Sequence, residues 1–220
     1  MTDLLTVKKE LALAGHRAYE RGIQVGNGGN LSARVPGADE MIIKPSGGSF
    51  MDCYENSWMR TDLEGNVLEG DGKPSGEALL HRTIYKCNPK AMAIVHCHST
   101  YANIVAYFHD EIPAYNYHSI FKLGGFIEVL DINKPSVTEA EVNLVEDIFK
   151  RQPDVKAFIL GRHGLVAVGK DPLDAEHNAE LVEETAQVAY LTEMYCKQNG
   201  VSKEPITKEW YSEYLESKKK

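Results

Sequence analysis

Residues 155–168 read VKAFILGRHGLVAV. Two β-rich apolar runs, Val155 to Leu160 and Leu165 to Val168, are joined only by Gly161-Arg162-His163-Gly164, so they form a hairpin. Strands joined this tightly are antiparallel, because a parallel pair needs a crossover of a dozen or more residues. The pattern recurs upstream. Leu31 to Val35 and Met41 to Lys44 flank the turn Pro36-Gly37-Ala38-Asp39, and Trp58 to Leu68 reads as a hairpin with Glu64-Gly65-Asn66 at its tip. Such hairpins exclude continuous βαβ winding and favour an α/β sandwich with a central, mainly antiparallel sheet over a doubly wound parallel one.

Helical spacing fills much of the remainder. Val7, Leu11, Ala14 and Ala18 make an apolar stripe within residues 4–22, and Leu80 with Ile84 does so from Glu77 to Lys86. Val142, Val145 and Phe149 mark a further stripe in 136–151, while Asp171-Pro172 caps a long helix running to about Gln198. Ala91 to His98 is a compact apolar run that reads as a buried strand, with a helix starting at Ser99 or Thr100, and Ile127 to Ile132 is another strand. Nothing marks a domain boundary. The chain reads as one domain over residues 1–220, with a C-terminal tail from about 200 that ends in the solvated run Lys218 to Lys220.

Composition excludes some partners. With 24 lysines and arginines against 32 aspartates and glutamates, the net charge is −8, which argues against general binding to nucleic acid or to anionic membranes. The 43% hydrophobic content and mean hydropathy of −0.35 are those of an ordinary globular protein. The opening MTDLLTVKKELALAG carries charges too close together for a signal peptide or a membrane span. Cys53, Cys87, Cys97 and Cys196 are far apart and read as free thiols, which makes the cytoplasm the expected compartment.

The chemistry concentrates in a few places. His96 and His98 lie two apart on a strand, so both imidazoles face one side while Cys97 faces the other. His163, at a tight turn between strands, is a candidate third ligand, and three neutral imidazoles with one open position describe a catalytic zinc site. Sequence separation alone does not bring His163 to the pair. Lone histidines such as His16, His81, His109 and His177 read as surface or satisfied core residues. Glu77, after Pro74-Ser75-Gly76 at a helix start, is the best carboxylate for acid–base work; the competing reading is a first-turn glutamate that complements the helix dipole. Gly26-Asn27-Gly28-Gly29-Asn30 is either a plain turn or a loop that presents N–H groups to a ligand.

Taken in order, Gly29-Asn30-Leu31-Ser32, Lys44-Pro45-Ser46-Gly47, Lys73-Pro74-Ser75-Gly76-Glu77, His96-Cys97-His98 and His163-Gly164 resemble the class II aldolase/adducin family from about residue 5 to 195. Within that family, the motifs resemble those of the aldolases for L-fuculose 1-phosphate. The resemblance implies a central, mainly antiparallel sheet with helices on both faces, assembled as a homotetramer with active sites between subunits. It implies one Zn²⁺ per subunit on His96, His98 and His163, with Glu77 as catalytic acid/base and occasional fourth ligand. It also implies a phosphate pocket of Gly29, Asn30, Ser46, Gly47, Ser75 and Gly76. A second serine is common where Gly76 stands, so one hydroxyl donor is missing here.

The implied reaction is zinc-dependent cleavage of a ketose 1-phosphate to dihydroxyacetone phosphate and an aldehyde, with a small phosphorylated sugar as substrate. A tyrosine around Tyr115 and Tyr117, or the C-terminal Tyr211 or Tyr214, could protonate the aldehyde-derived oxygen, and His118 competes for that role. Other enzymes of the family remain alternatives: aldolases for 5-deoxyribulose or other deoxyketose phosphates, L-ribulose-5-phosphate 4-epimerase, methylthioribulose-1-phosphate dehydratase and sugar-phosphate decarboxylases. The epimerases usually carry aspartate at the position of Glu77. A non-catalytic adducin-like assembly module is the alternative from another class, but such heads are expected to lack the metal histidines.

Overall fold

In the computed structural model, which describes residues 3–132 and 134–219, Asp3 starts the first helix by accepting a hydrogen bond from the Thr6 N–H at 2.9 Å. Helix α1 (Leu4–Glu20) buries Val7, Leu11, Ala14 and Ala18, the stripe read from the sequence. Two hairpins follow, β1 (Asn30–Arg34) with β2 (Glu40–Ile43) and β3 (Met59–Asp62) with β4 (Val67–Glu69). Helix α2 (Ala78–Cys87) leads to β5 (Ala93–Cys97), then to α3 (Thr100–Ala106) and α4 (Tyr117–Leu123). The short β6 (Val129–Leu130), α5 (Val142–Arg151), the hairpin β7 (Ala157–Leu160) and β8 (Gly164–Gly169), and helices α6 (Pro172–Asn199) and α7 (Lys208–Ser217) complete the order.

The strands form one eight-stranded sheet in the order β4-β3-β2-β1-β5-β8-β7-β6. Every adjacent pair is antiparallel except β6 with β7. Side-chain alternation sends Ala93, Val95 and Cys97 to the face covered by α1, α3 and α6, and Ile94 to the face covered by α2 and α5. Both faces are thus covered except at the exposed edge strand β4, and the sheet with helices on both sides is the architecture expected. Among the described residues no helix is long and apolar enough to cross a membrane. All four cysteines are free.

Two segments differ from the sequence reading. The strand expected over 127–132 keeps only two residues, since the Ile132 N–H donates back to the Leu130 carbonyl and ends the ladder. The C-terminal segment beyond 200 contains α7, where Thr207 caps the helix and Trp210 and Tyr214 lie against Tyr117 and Phe121 of α4 at centroid distances of 4.6 and 4.9 Å. Lys220 of the terminal lysine run lies outside the described residues.

Candidate metal centre

β5 ends in the middle of the sheet, with β1 on one side and β8 on the other. Its register places His96 opposite Asn30 of β1 and Val166 of β8. His98 lies one residue past the strand, where its N–H donates to the Gln24 Oε1 at 2.9 Å. His163 sits in the β7–β8 turn, after Arg162 in a left-handed conformation at φ 57° and with its own N–H donating to the Leu160 carbonyl at 3.0 Å. A Cβ at Gly164 would lie 2.5 Å from the Cys97 carbonyl and 3.0 Å from the His96 ring, so glycine lets this turn close onto the imidazoles.

The turn therefore brings together what sequence separation left open. The rings of His96, His98 and His163 lie 4.8 to 5.1 Å apart between centroids. Glu77 joins them from the N-cap position of α2, where its carboxylate makes no cap hydrogen bond. Its Oε2 stands 2.9 Å from His96 Nε2 and its Oε1 3.5 Å from His163 Nε2. The helix thus forgoes a capping bond worth about 1 kcal/mol, and the carboxylate turns into the cluster rather than complementing the dipole.

The donor set fits a metal ion. His96 Nδ1 donates to the Leu165 carbonyl at 2.8 Å, which puts its proton on that nitrogen and turns the Nε2 lone pair inward. That Nε2 is also 3.2 Å from His98 Nε2, while the buried Glu77 Oε1 has no hydrogen-bond partner. Lone pairs crowded this way repel one another unless a cation lies among them. Burial, reinforced by His96, pushes the His98 imidazole down to about 4 and shifts His163 downward too, so both tend to be neutral, as metal ligands must be. Burial pushes the Glu77 carboxyl up, but with no cation bound, proton-bearing imidazoles at His96 and His163 together with the Asn30 amide would outweigh it and hold the group at about 2; with the rings neutral as ligands, the cation takes over that role. One ligand atom from each of the four residues lies within 4.8 Å of the others, so small side-chain shifts would let all four reach a single ion.

The residues expected to cradle phosphate come close together, with some donors already committed. Asn27 Nδ2 approaches the Gly47 carbonyl at 3.4 Å, and Ser46 N–H donates to the Lys73 carbonyl at 2.9 Å, which ties three loops into one floor. Ser75 N–H donates to the Lys44 carbonyl at 3.1 Å, so neither serine amide is free for an anion. Of the residues expected from these two loops, the Ser46 and Ser75 hydroxyls and the Gly47 and Gly76 amides are the groups left to donate. Gly29 adopts φ 63° and packs on β5, where a Cβ would meet Gln24 Oε1 at 2.4 Å and the His96 carbonyl at 2.7 Å. The Asn30 side chain is buried and donates to Glu77 Oε2 at 2.9 Å, so it faces the carboxylate rather than the loop floor.

Tyr117 and His118 are placed elsewhere. Tyr117 is exposed and packs on Trp210 and Phe121, and His118 lines a hollow of about 430 Å³ with Arg21 and Glu180. Among the described residues neither shares a hydrogen bond with Glu77 or the three histidines. Sequence reasoning missed Gln24 and passed over His81. Gln24 holds the His98 backbone, and His81 hydrogen-bonds Asn30 behind Glu77. The one signal for His81 was its spacing of four from Glu77.

Comparison with known proteins agrees with this geometry. The family model for the class II aldolase and adducin N-terminal domain matches residues 9–190. A 3-oxo-tetronate 4-phosphate decarboxylase of Haemophilus influenzae is 36% identical over 86% of this chain and 89% of its own length. An L-fuculose phosphate aldolase of Methanocaldococcus jannaschii is 32% identical over 84% of this chain and 96% of its own. A solved L-fuculose 1-phosphate aldolase superposes with a TM-score of 0.82 at 28% identity, covering 97% of this chain and 96% of that one. With its antiparallel sheet, its cluster of three histidines and a glutamate, and a family match along most of its length, the chain belongs to the class II aldolase and adducin family.

Proposed function

We propose that this chain is a zinc-dependent carbon–carbon lyase that cleaves a ketose 1-phosphate, such as L-fuculose 1-phosphate, to dihydroxyacetone phosphate and an aldehyde. The observation that carries the reading is the buried, unpartnered Glu77 Oε1 beside three inward-facing imidazoles. His96, His98 and His163 would hold a divalent ion, which when bound would polarise the substrate carbonyl and offset the negative charge that cleavage leaves beside it.

Aldol cleavage moves one proton from the hydroxyl of the departing aldehyde portion to the carbon next to the ketone. Glu77 serves the carbon side. Ionised, it takes that proton in the condensation direction, and it returns it in cleavage. The Ser46 and Ser75 hydroxyls with the Gly29, Gly47 and Gly76 amides bind the phosphate, and Asn30 orients Glu77 as well as bordering that pocket. Tyr117 and His118 remain candidates for the oxygen side only if another conformation or a second subunit brings them to the site. We extend the proposal to a cytoplasmic homotetramer with active sites at the subunit interfaces, which light scattering would report as four chain masses.

A second reading is favoured by the 36% identity to a protein named as a 3-oxo-tetronate 4-phosphate decarboxylase. Loss of CO₂ beside a carbonyl leaves the same charge, and Glu77 would again protonate the carbon. The test is a product assay with the zinc-loaded protein. L-fuculose 1-phosphate, 5-deoxyribulose 1-phosphate, L-ribulose 5-phosphate, methylthioribulose 1-phosphate and 3-oxo-tetronate 4-phosphate are supplied in turn. Triose phosphate from a ketose 1-phosphate is expected. CO₂ from the oxo acid without triose phosphate from any sugar would select the second reading, and epimerised or dehydrated product alone would refute both.

A further inference from the structure

Glu77, His81 and Tyr85 are spaced by four along one face of α2, and Asn30 and Ser32 are spaced by two along the facing side of β1. The two sets interlock. Tyr85 Oη lies 2.8 Å from Ser32 Oγ, Ser32 Oγ 2.6 Å from His81 Nδ1, His81 Nε2 2.5 Å from Asn30 Oδ1, and Asn30 Nδ2 2.9 Å from Glu77 Oε2. All five side chains are buried.

The chemistry of the end groups gives this chain a single direction. A carboxylate only accepts, so Asn30 must turn its Nδ2 toward Glu77 and its Oδ1 toward His81. That carbonyl oxygen also only accepts, so the His81 proton lies on Nε2. Burial, with a smaller contribution from His96, pushes the His81 imidazole down to about 3, and the neutral ring then offers a lone pair at Nδ1. Ser32 donates to that lone pair, and Tyr85 donates to Ser32. Arg34, two residues further along β1, closes the far end, with its guanidinium 4.8 Å over the Tyr85 ring and a hydrogen bond to the Tyr85 carbonyl.

We infer that Tyr85, Ser32, His81 and Asn30 form a positioning relay that fixes Glu77 through Oε2 and leaves Oε1 as the oxygen that exchanges a proton with substrate. Without the His81 N–H the Asn30 amide is free to turn over, and its oxygen would then face the carboxylate and drive it out of position. None of the four relay side chains is among the grouped metal-ligand residues. Their effect on rate therefore runs through the placement of Glu77, and the inference rests on the proton-carrying role proposed above.

The test combines two variants with a spectroscopic measurement. His81→Leu removes the donor, whereas His81→Gln keeps an N–H near the position of Nε2 and a carbonyl for Ser32. With the zinc-loaded protein and whichever substrate the wild type turns over, His81→Leu is expected to lower kcat by about 10- to 100-fold, the usual cost of losing such a supporting hydrogen bond. KM and zinc affinity by chelator competition should stay close to wild type, and His81→Gln should recover most of the rate. Imidazole ¹⁵N shifts of the wild type should show His81 protonated at Nε2 alone. A proton on Nδ1, a cationic ring, a leucine variant at wild-type rate, or a glutamine variant as slow as leucine would each overturn the relay. Should the leucine variant fail to fold, the tautomer and the glutamine variant still decide. A wild type with no lyase activity would count against the proposed reaction, while the ¹⁵N measurement reads the relay without turnover.

Discussion

Glu77→Gln separates holding the carboxylate from using it. The amide can still accept from Asn30 but cannot carry a proton, so turnover should fall by about 10²- to 10⁴-fold, the usual contribution of a general acid–base group. Three imidazoles remain to hold the ion, so chelator competition should show zinc still bound. Gly76→Ser tests the anion floor from the other direction. A Cβ there meets no atom within 4 Å, so a serine fits, and the expected loss of stability is within about 0.5 kcal/mol. One added donor worth about 1 kcal/mol should lower KM about fivefold for a phosphorylated substrate; an unchanged KM would place Gly76 outside the pocket. His96 and His98 were legible as a pair because strand geometry puts i and i+2 on one face. Gln24 was not, because a glutamine after a helix carries no pattern until its contact with His98 is seen.

At the level of elements, α2 against β1 should make stability depend on pH. His81 in the unfolded chain titrates near the ordinary 6.5, whereas in the fold it stays neutral to about 3. Between those values the unfolded state binds more protons, so stability is fully present above 6.5 and falls as pH drops, by at most about 1.4 kcal/mol per pH unit for this one group. His98, held near 4, adds to the same trend when no metal is bound. Urea midpoints of the chelated protein should therefore decline from about pH 7 to about pH 5, and His81→Gln should flatten the decline. The hairpins and α1, α2, α5 and α6 could be read beforehand because their signals are local: alternation, a stripe at helical spacing, a cap, a turn residue. The short β6 and α7 could not. The first is limited by where its partner strand lies, and the second is held by aromatic contacts with α4 that no spacing announces.

For the whole molecule, metal should act as a folding ligand. An ion that binds only the native chain at a hundredfold excess over its Kd stabilises by about 2.7 kcal/mol, so adding a chelator should lower the melting temperature and zinc should restore it. Metal analysis should find about one zinc per chain, the stoichiometry of a three-histidine site; a melting temperature indifferent to chelator would contradict the assignment. The charge of −8 is compatible with the proposed anionic substrate because the attraction would be local, through one bound dication and a floor of neutral donors. By itself the sequence determined the sheet's antiparallel character, its principal helices and the residues able to bind metal, since each follows from neighbours within a turn or a strand. Only the tertiary structure decided that His163 meets His96 and His98, that Glu77 turns from its helix end into their midst, and that Asn30 serves the carboxylate. Those pairings depend on which strands lie side by side, and that is set by packing across the whole sheet rather than by local spacing.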